Sequence, residues 1–284
     1  MKLIIESGAT KADWTLLLKG SVQSFQTEGL NFSSGDEEFV FRVLEQATNR
    51  VLDITDAEMP EEVNLYAAGL FPSEEPGSPY RMLKNTLSNK FPGAEIHLEN
   101  DILAAARAVL GHESGIAVIL GTGSNTCEYD GNKIVRKVSS GGFILGDEGS
   151  AASLGRAFIS DYIKGLVPEC VARAFEEKYD MSYPEIVRNV YRGNSPSGYL
   201  GHFAPDILSY YGTDYYMQNL VDENFRLFFA RCIKPFNAGN LPVGVVGGFG
   251  YACRDILTAL GAQDGITFST FLASPSEALI KYHC

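Results

Sequence analysis

Short, unbroken apolar runs punctuate this chain. Residues 116–120 (IAVIL) form one of them, continuous rather than alternating, as expected of a strand buried on both faces. The run stops at Gly121-Thr122-Gly123-Ser124, and a second strand, 125–129, leads to an Asp130-Gly131 turn. The same order appears at the start of the chain: a strand at 2–5, a small-residue turn at 6–11 and a returning strand at 12–18. A third strand follows each pair, 21–27 in one and 133–138 in the other, closing on Gly29 and on Gly141-Gly142. Two copies of one supersecondary unit predict two homologous half-folds, each presenting its turn to a shared cleft.

Between these units the period changes. Phe39, Val40, Val43, Leu44, Ala47 and Val51 line one face of a helix over 37–52. A strand at 64–70 ends beside Gly69, a helix at 80–91 is stopped by Pro92-Gly93, and a strand at 94–98 runs through Glu99-Asn100-Asp101 into a helix over 102–110. A small-residue helix follows Asp147-Glu148 towards Tyr162, and 167–235 reads as helical and aromatic-rich, with Tyr210-Tyr211 and Tyr215-Tyr216 as packing and surface aromatics. A buried strand at 241–246 meets Gly247-Gly248-Phe249-Gly250 and a helix running to Leu260; a strand over 266–271 precedes a last helix, with Ser274 as its cap and Pro275 in its first turn. Alternating strands and helices define an α/β protein.

Composition narrows the function classes. The length of 284 residues suits two domains, and 45% hydrophobic with 20% charged residues is ordinary for a globular chain. A net charge of −12 disfavours DNA or RNA as a partner, while leaving a nucleotide possible through backbone amides and Mg2+. The opening residues MKLIIESG, with one lysine and a three-residue apolar run, are not expected to act as a signal peptide, no run approaches the length of a membrane-spanning helix, and five scattered cysteines without a CxxC pair suit reduced thiols in the cytoplasm. The four histidines show no metal-ligand spacing.

Four stretches carry candidate chemistry. A Gly/Thr/Ser turn between strands places amides and hydroxyls where no bulky side chain blocks an anion, though ordinary hairpins share that composition. Asn100 or Asp101 either caps the following helix or stands as a strand-end catalytic group. Asp147 and Glu148, boxed by glycines, either cap a helix or bind a hydroxylated ligand. Gly247-Gly248 at a strand-to-helix junction lets a flat ring or a phosphate approach the backbone.

With these residues in view, the chain resembles the superfamily of sugar kinases, heat-shock chaperones and actin, and within it the N-acetylglucosamine kinase-like branch of the BadF/BadG/BcrA/BcrD ATPase family. Residues 6–11 (ESGATK) resemble its first phosphate motif, 121–124 (GTGS) its second and 247–250 (GGFG) its adenosine motif. Asn100-Asp101 matches the catalytic aspartate position, 146–150 (GDEGS) a run typical of the branch, and 28–31 (EGLN) the segment whose asparagine touches sugar. The resemblance spans nearly the whole chain. It implies two ribonuclease-H-like domains around a central interdomain cleft, one of residues 1–110 joined by a returning helix at 275–282, the other of 111–274 with a helical insertion. It further implies ATP with Mg2+ and an amino sugar, most often N-acetylglucosamine, in a cytoplasmic enzyme that could form a homodimer. Ser7, Gly8, Ala9, Thr10, Lys11, Gly121, Thr122, Gly123, Gly247, Gly248 and Phe249 would hold the nucleotide. Asn31, Asn100, Ser124 and Asp147 would meet the sugar, Asp101 would be the general base, and Glu6 would organise the metal.

Glu6 departs from the pattern, which has aspartate followed by glycines there. The extra methylene moves the carboxylate by about 1.5 Å at a site where Mg2+ demands near-octahedral geometry, so Glu6 either reaches an ordered water or weakens the site. Two other functions compete with a kinase. One is the ATPase activator of a radical dehydratase or reductase, which would need cysteines paired around an iron–sulfur cluster. The other is a non-catalytic nucleotide or sugar sensor.

Overall fold

The computed structural model describes residues 1–8, 11–30, 32, 37–73, 75–237, 239 and 241–284. It divides into two compact units, Met1–Gly111 with Pro275–Cys284, and His112–Ser274. In the first, β1 (Lys2–Ser7), β2 (Lys11–Leu18) and β3 (Ser21–Glu28) form an antiparallel meander, and β4 (Glu62–Ala67) and β5 (Glu95–Asn100) extend the sheet in parallel, in the order β3-β2-β1-β4-β5. In the second, β6 (Gly115–Leu120), β7 (Ser124–Tyr129) and β8 (Ile134–Val138) are the meander, with β9 (Val243–Val246) and β10 (Phe268–Leu272) parallel to it, in the order β10-β9-β6-β7-β8. Read from the meander, the two sheets have one topology. The repeat expected from the strand–turn–strand pattern is therefore real, and it extends to two further strands in each half that the pattern alone did not pair.

Three helices cover the first sheet: α1 (Glu37–Ile54), α2 (Pro79–Lys90) and α3 (Asp101–Leu110). The apolar faces of α1 and α2, with Val40, Val43, Leu44, Leu83 and Leu87, join Leu3, Ile5, Trp14, Leu16, Val63 and Leu65 of the strands in one core. Trp14 is fully buried because its one polar atom is satisfied: the indole N–H donates to Thr27 Oγ1 at 2.9 Å.

The second unit carries α4 (Gly142–Leu145), α5 (Ala151–Tyr162), α6 (Glu169–Lys178), α7 (Tyr183–Arg192), α8 (Pro196–Gly201), α9 (Ala204–Ser209), α10 (Tyr215–Phe228), a π turn (Phe229–Ile233), α11 (Gly248–Ala252) and α12 (Arg254–Gln263). The helical stretch is aromatic in its core, with Phe158, Phe175 and Phe203 in mutual ring contact. The tyrosine pairs divide as expected: Tyr211 and Tyr216 donate to Asp222 and Asp161 at 2.9 Å each, while Tyr215 is exposed. One expected helix is two. The stretch from Gly248 to Leu260 breaks at Cys253, because Gly250 fixes α11 against Leu120 and Val245 while α12 buries Leu257, Leu260 and Gly261 on its own axis.

A final helix, α13 (Ser276–His283), belongs to the first unit and packs on α3. It begins later than expected: Pro275, with helical dihedrals (φ −79°, ψ −15°), occupies the cap position in place of Ser274. Leu279 is fully buried, Lys2 Nζ donates to the carbonyl of His283 at 2.9 Å, and the Tyr66 hydroxyl meets His283 Nε2 at 2.9 Å. Burial, with Arg107 beside it, pushes His283 down to about 4, so its ring is neutral at pH 7.

Candidate active site

The 121–124 turn is shaped by its neighbours. Gly121 donates its N–H to the carbonyl of Gly123 at 3.0 Å, and the first amides of α5 reach back to the turn, Ala151 to Gly121 O at 3.0 Å and Ala152 to Thr122 O at 3.1 Å. The helix thereby satisfies two of its own unpaired N–H groups and draws the turn's carbonyls towards itself. Among the described residues, the amides of Thr122 and Gly123 have no acceptor, which leaves two adjacent N–H donors for an anion.

Asp147 braces this turn from behind. Its Oδ1 accepts the N–H of Ser124 at 3.1 Å, and a Cβ at Gly123 would lie 3.0 Å from its Oδ2. Asp147 itself sits in the left-handed region (φ 54°), held by an N–H bond to Ser140 O at 2.8 Å. Burial pushes its carboxyl up, the Ser124 N–H opposes that, and the nearby Glu148 charge adds to it. Neither acid caps α5. Ser150 does, its Oγ accepting from Ser153 N at 3.1 Å, because Asp147 is committed to the turn and Glu148 is paired with Arg231 at 2.9 Å. Gly149 (φ 77°) is required there, since a Cβ would fall 2.6 Å from Phe228.

The 247–250 motif packs directly on the strand that leads into the turn. Gly247 (φ 126°) passes so close that a Cβ would stand 2.3 Å from the carbonyl oxygen of Leu120. A cavity of about 400 Å³ opens beside it, lined by Gly121 and Thr122 of the turn and by Gly248 and Phe249 of the motif. The remaining wall comes largely from α9, through Ala204, Pro205 and Leu208. The positions where Gly121 and Gly248 would carry a Cβ have no protein atom within 4 Å, so the glycines keep the mouth of this space open. Two motifs 126 positions apart thus share one cavity with two unmatched amides. The α9 residues went unrecognised in the sequence, where alanine, proline and leucine in a helical stretch look like ordinary packing.

In the first unit, Glu6 of β1 stands directly opposite Asp13 of β2. Burial, reinforced by the charges of Asp13 and Asp101 and opposed by Lys11, pushes the Glu6 carboxyl up to about 7. Lys11 is exposed, with Nζ 3.6 Å from Asp13 Oδ2, and Gln26 Nε2 donates to Asp13 Oδ1 at 2.6 Å. The Ser7 hydroxyl is committed to the fold: it is fully buried, accepts the N–H of Leu30 at 2.7 Å and donates to Gly8 O at 3.2 Å. Gly8 closes the turn by donating to Lys11 O at 3.0 Å. Ala9, Thr10 and Asn31 lie outside the described residues.

At the β5–α3 junction the capping alternative holds for Asn100. Asn100 is the cap, its Oδ1 accepting from Leu103 N at 3.0 Å, and Asp101 is the first residue of the helix, at the carboxyl end of a parallel strand. Among the described residues, no group of three or more histidine, cysteine, aspartate or glutamate side chains is arranged to hold a metal ion. The donor set of Glu6 and Asp101 instead suits a cation such as Mg2+, which takes one or two carboxylates and completes its shell with water and phosphate oxygens. Those two carboxylates lie near enough to repel each other, a repulsion that a cation would relieve.

No family model matches the chain, and no curated protein matches it. Solved structures do. A proposed N-acetylglucosamine kinase from Porphyromonas gingivalis is 35% identical, with 100% of this chain and 98% of that one covered and a TM-score of 0.86. A second proposed N-acetylglucosamine kinase, from Chromobacterium violaceum, is 18% identical with 99% and 98% covered and a TM-score of 0.73. A ROK family glucokinase from Streptomyces griseus, in complex with glucose and AMPPNP, is 18% identical with 99% and 97% covered and a TM-score of 0.58. These last two share the fold. Identity at the level of the first, over its full length, means that the chain belongs to the N-acetylglucosamine kinase-like family of sugar kinases.

Proposed function

We propose that this kinase transfers the γ-phosphate of ATP to a hydroxyl of an amino sugar, N-acetylglucosamine foremost. The observation that supports it most is the cavity in which the 121–124 turn, with its two unmatched amides, meets the 247–250 motif. Phosphoryl transfer asks a protein chiefly for positioning and charge stabilisation. Gly247, Gly248 and Phe249 seat the nucleoside, and the amides of Thr122 and Gly123 hold the phosphates with Gly8, Ala9, Thr10 and Lys11. Ser7 acts here through its backbone and its support of Leu30. Asp101 accepts the proton of the attacking hydroxyl. The amide nitrogen of Asn100, with Asn31, Ser124 and Asp147, orients the sugar. Magnesium, when bound, supplies charge neutralisation at the phosphates, and Glu6 is the residue that would hold it, directly or through water.

The test is ADP release with N-acetylglucosamine, N-acetylmuramate, N-acetylmannosamine, glucosamine and glucose. Turnover is expected with at least one acetylated amino sugar. ADP or ATP binding without turnover of any of them would sink the kinase assignment in favour of a sensor. The cytoplasm is the compartment we infer, on the five cysteines that form no disulfide. A homodimer is also part of this proposal, on the exposed Ile144, Leu145, Tyr183 and Tyr191 of the second unit. Light scattering should return twice the mass of one chain.

A further inference from the structure

We propose that the base subsite does not distinguish the group at purine C6, so that the protein uses purine nucleoside triphosphates as a class. This rests on the cavity beside Gly247–Phe249 being the nucleotide site.

The observation is chemical. Beyond the glycines and Thr122, the cavity is lined by Ala151, Ala204, Pro205, Leu208, Phe249 and Ala252. Thr122 belongs to the phosphate turn, and none of the others has a side chain that can donate or accept a hydrogen bond. On the α9 wall the backbone adds little: Pro205 has no N–H, and the carbonyl of Leu208 accepts from Tyr211 N at 3.0 Å. The amides of Gly248 and Phe249 open α11 next to the phosphate turn rather than on that wall. Charged side chains near the lining residues in sequence are occupied elsewhere. Asp206 of α9 is held by Lys178 at 2.6 Å and by Tyr179, and the Arg254 guanidinium lies over the Tyr251 ring, 5.0 Å from its centre.

A pocket that hydrogen-bonds a particular edge rejects an analogue lacking it by about 10⁴-fold or more, whereas an apolar pocket separates isosteres by about 10- to 200-fold at most. Adenine and hypoxanthine have the same outline and differ in whether C6 carries a donor or an acceptor. Against an alanine, proline, leucine and phenylalanine wall, that difference has no partner to register it. Pyrimidines, with a smaller face, lose contact area.

Two measurements test this on the full-length protein. Calorimetry with ADP and with IDP, without sugar, is expected to give dissociation constants within about 10-fold of each other. Initial rates with ATP, ITP and GTP on the best sugar are expected to give kcat/KM values for ATP and ITP in the same range. A preference for ADP over IDP above about 100-fold overturns the inference, as does the binding of neither. The two proposals fail separately: equal ADP and IDP binding without turnover removes the kinase and keeps the permissive base site. Leu208→Gln, at a half-buried position, places a polar group in the wall and should open a difference between ADP and IDP of about 10-fold, while Leu208→Ala weakens both alike. No difference with Leu208→Gln, in a variant with unchanged circular dichroism, would count against the wall as the determinant.

Discussion

Asp101, at the start of a helix, adds its charge to the environment of Glu6 on β1. Asp101→Asn keeps the shape of the side chain and removes its ability to take a proton. The expected result is a fall in kcat of about 10²- to 10⁴-fold, with ADP affinity within about 3-fold of the parent, read by coupled assay and calorimetry. Glu6 makes a pH-dependent contribution that can be isolated without nucleotide or metal. Below pH 4.5 its carboxyl is protonated in both the folded and unfolded chain; between 4.5 and about 7 only the unfolded chain ionises, and above that the folded chain must carry the charge. The favourable contribution is therefore present at low pH and lost as pH rises through about 7. Glu6→Gln, which never ionises, should raise the melting temperature at pH 8 and leave it nearly unchanged at pH 5. An equal shift at both values would mean that Glu6 is not a high-pKa group.

Helix α5 links the phosphate turn to the rest of the second unit. Its amides hold the turn's carbonyls, and its Gly155 lets α8 approach so closely that a Cβ would stand 1.8 Å from Leu200 O. Gly155→Ala should therefore destabilise the second unit by about 3 kcal/mol in urea unfolding, despite alanine's better helix propensity. A neutral or stabilising result would show that α8 can move away. Elements of this kind mark what the sequence could and could not say. Apolar runs such as 116–120 announced their strands because continuous burial leaves no alternation to mistake. The turns were legible because glycine and threonine at a strand end have few other uses. Side-chain allegiance was harder to read: Ser150, not either acid, caps α5, because the choice depends on Ser124 and Arg231, 26 residues before and 81 after it. The break at Cys253 was equally hidden, since Gly250 reveals its constraint only once Leu120 is beside it. The cavity wall of α9 carries no polar residue to attract notice. That blandness is its chemistry.

At the scale of the whole molecule, two sheets of one topology carry separate cores, one around Trp14 and the other around Phe225 and Phe228. Each unit can consequently report on ligands in its own way. Adenosine diphosphate seated by the second unit should slow hydrogen exchange in Gly115–Leu120, Ser124–Tyr129 and Gly248–Ala252, with Glu62–Ala67 unaffected. Protection confined to the first unit would contradict the placement of the nucleotide. The units also differ in how they are connected. The second is one continuous segment, His112–Ser274, whereas the first is completed only by α13. Synthesis therefore adds every second-unit residue before the segment that seals the first. Until Leu279 and His283 arrive, α3 has an uncovered apolar side and Tyr66 lacks its imidazole partner. Chains clipped after Ser274 should thus expose a ready mark for chaperones and proteases on the first unit, while the second retains all of its residues.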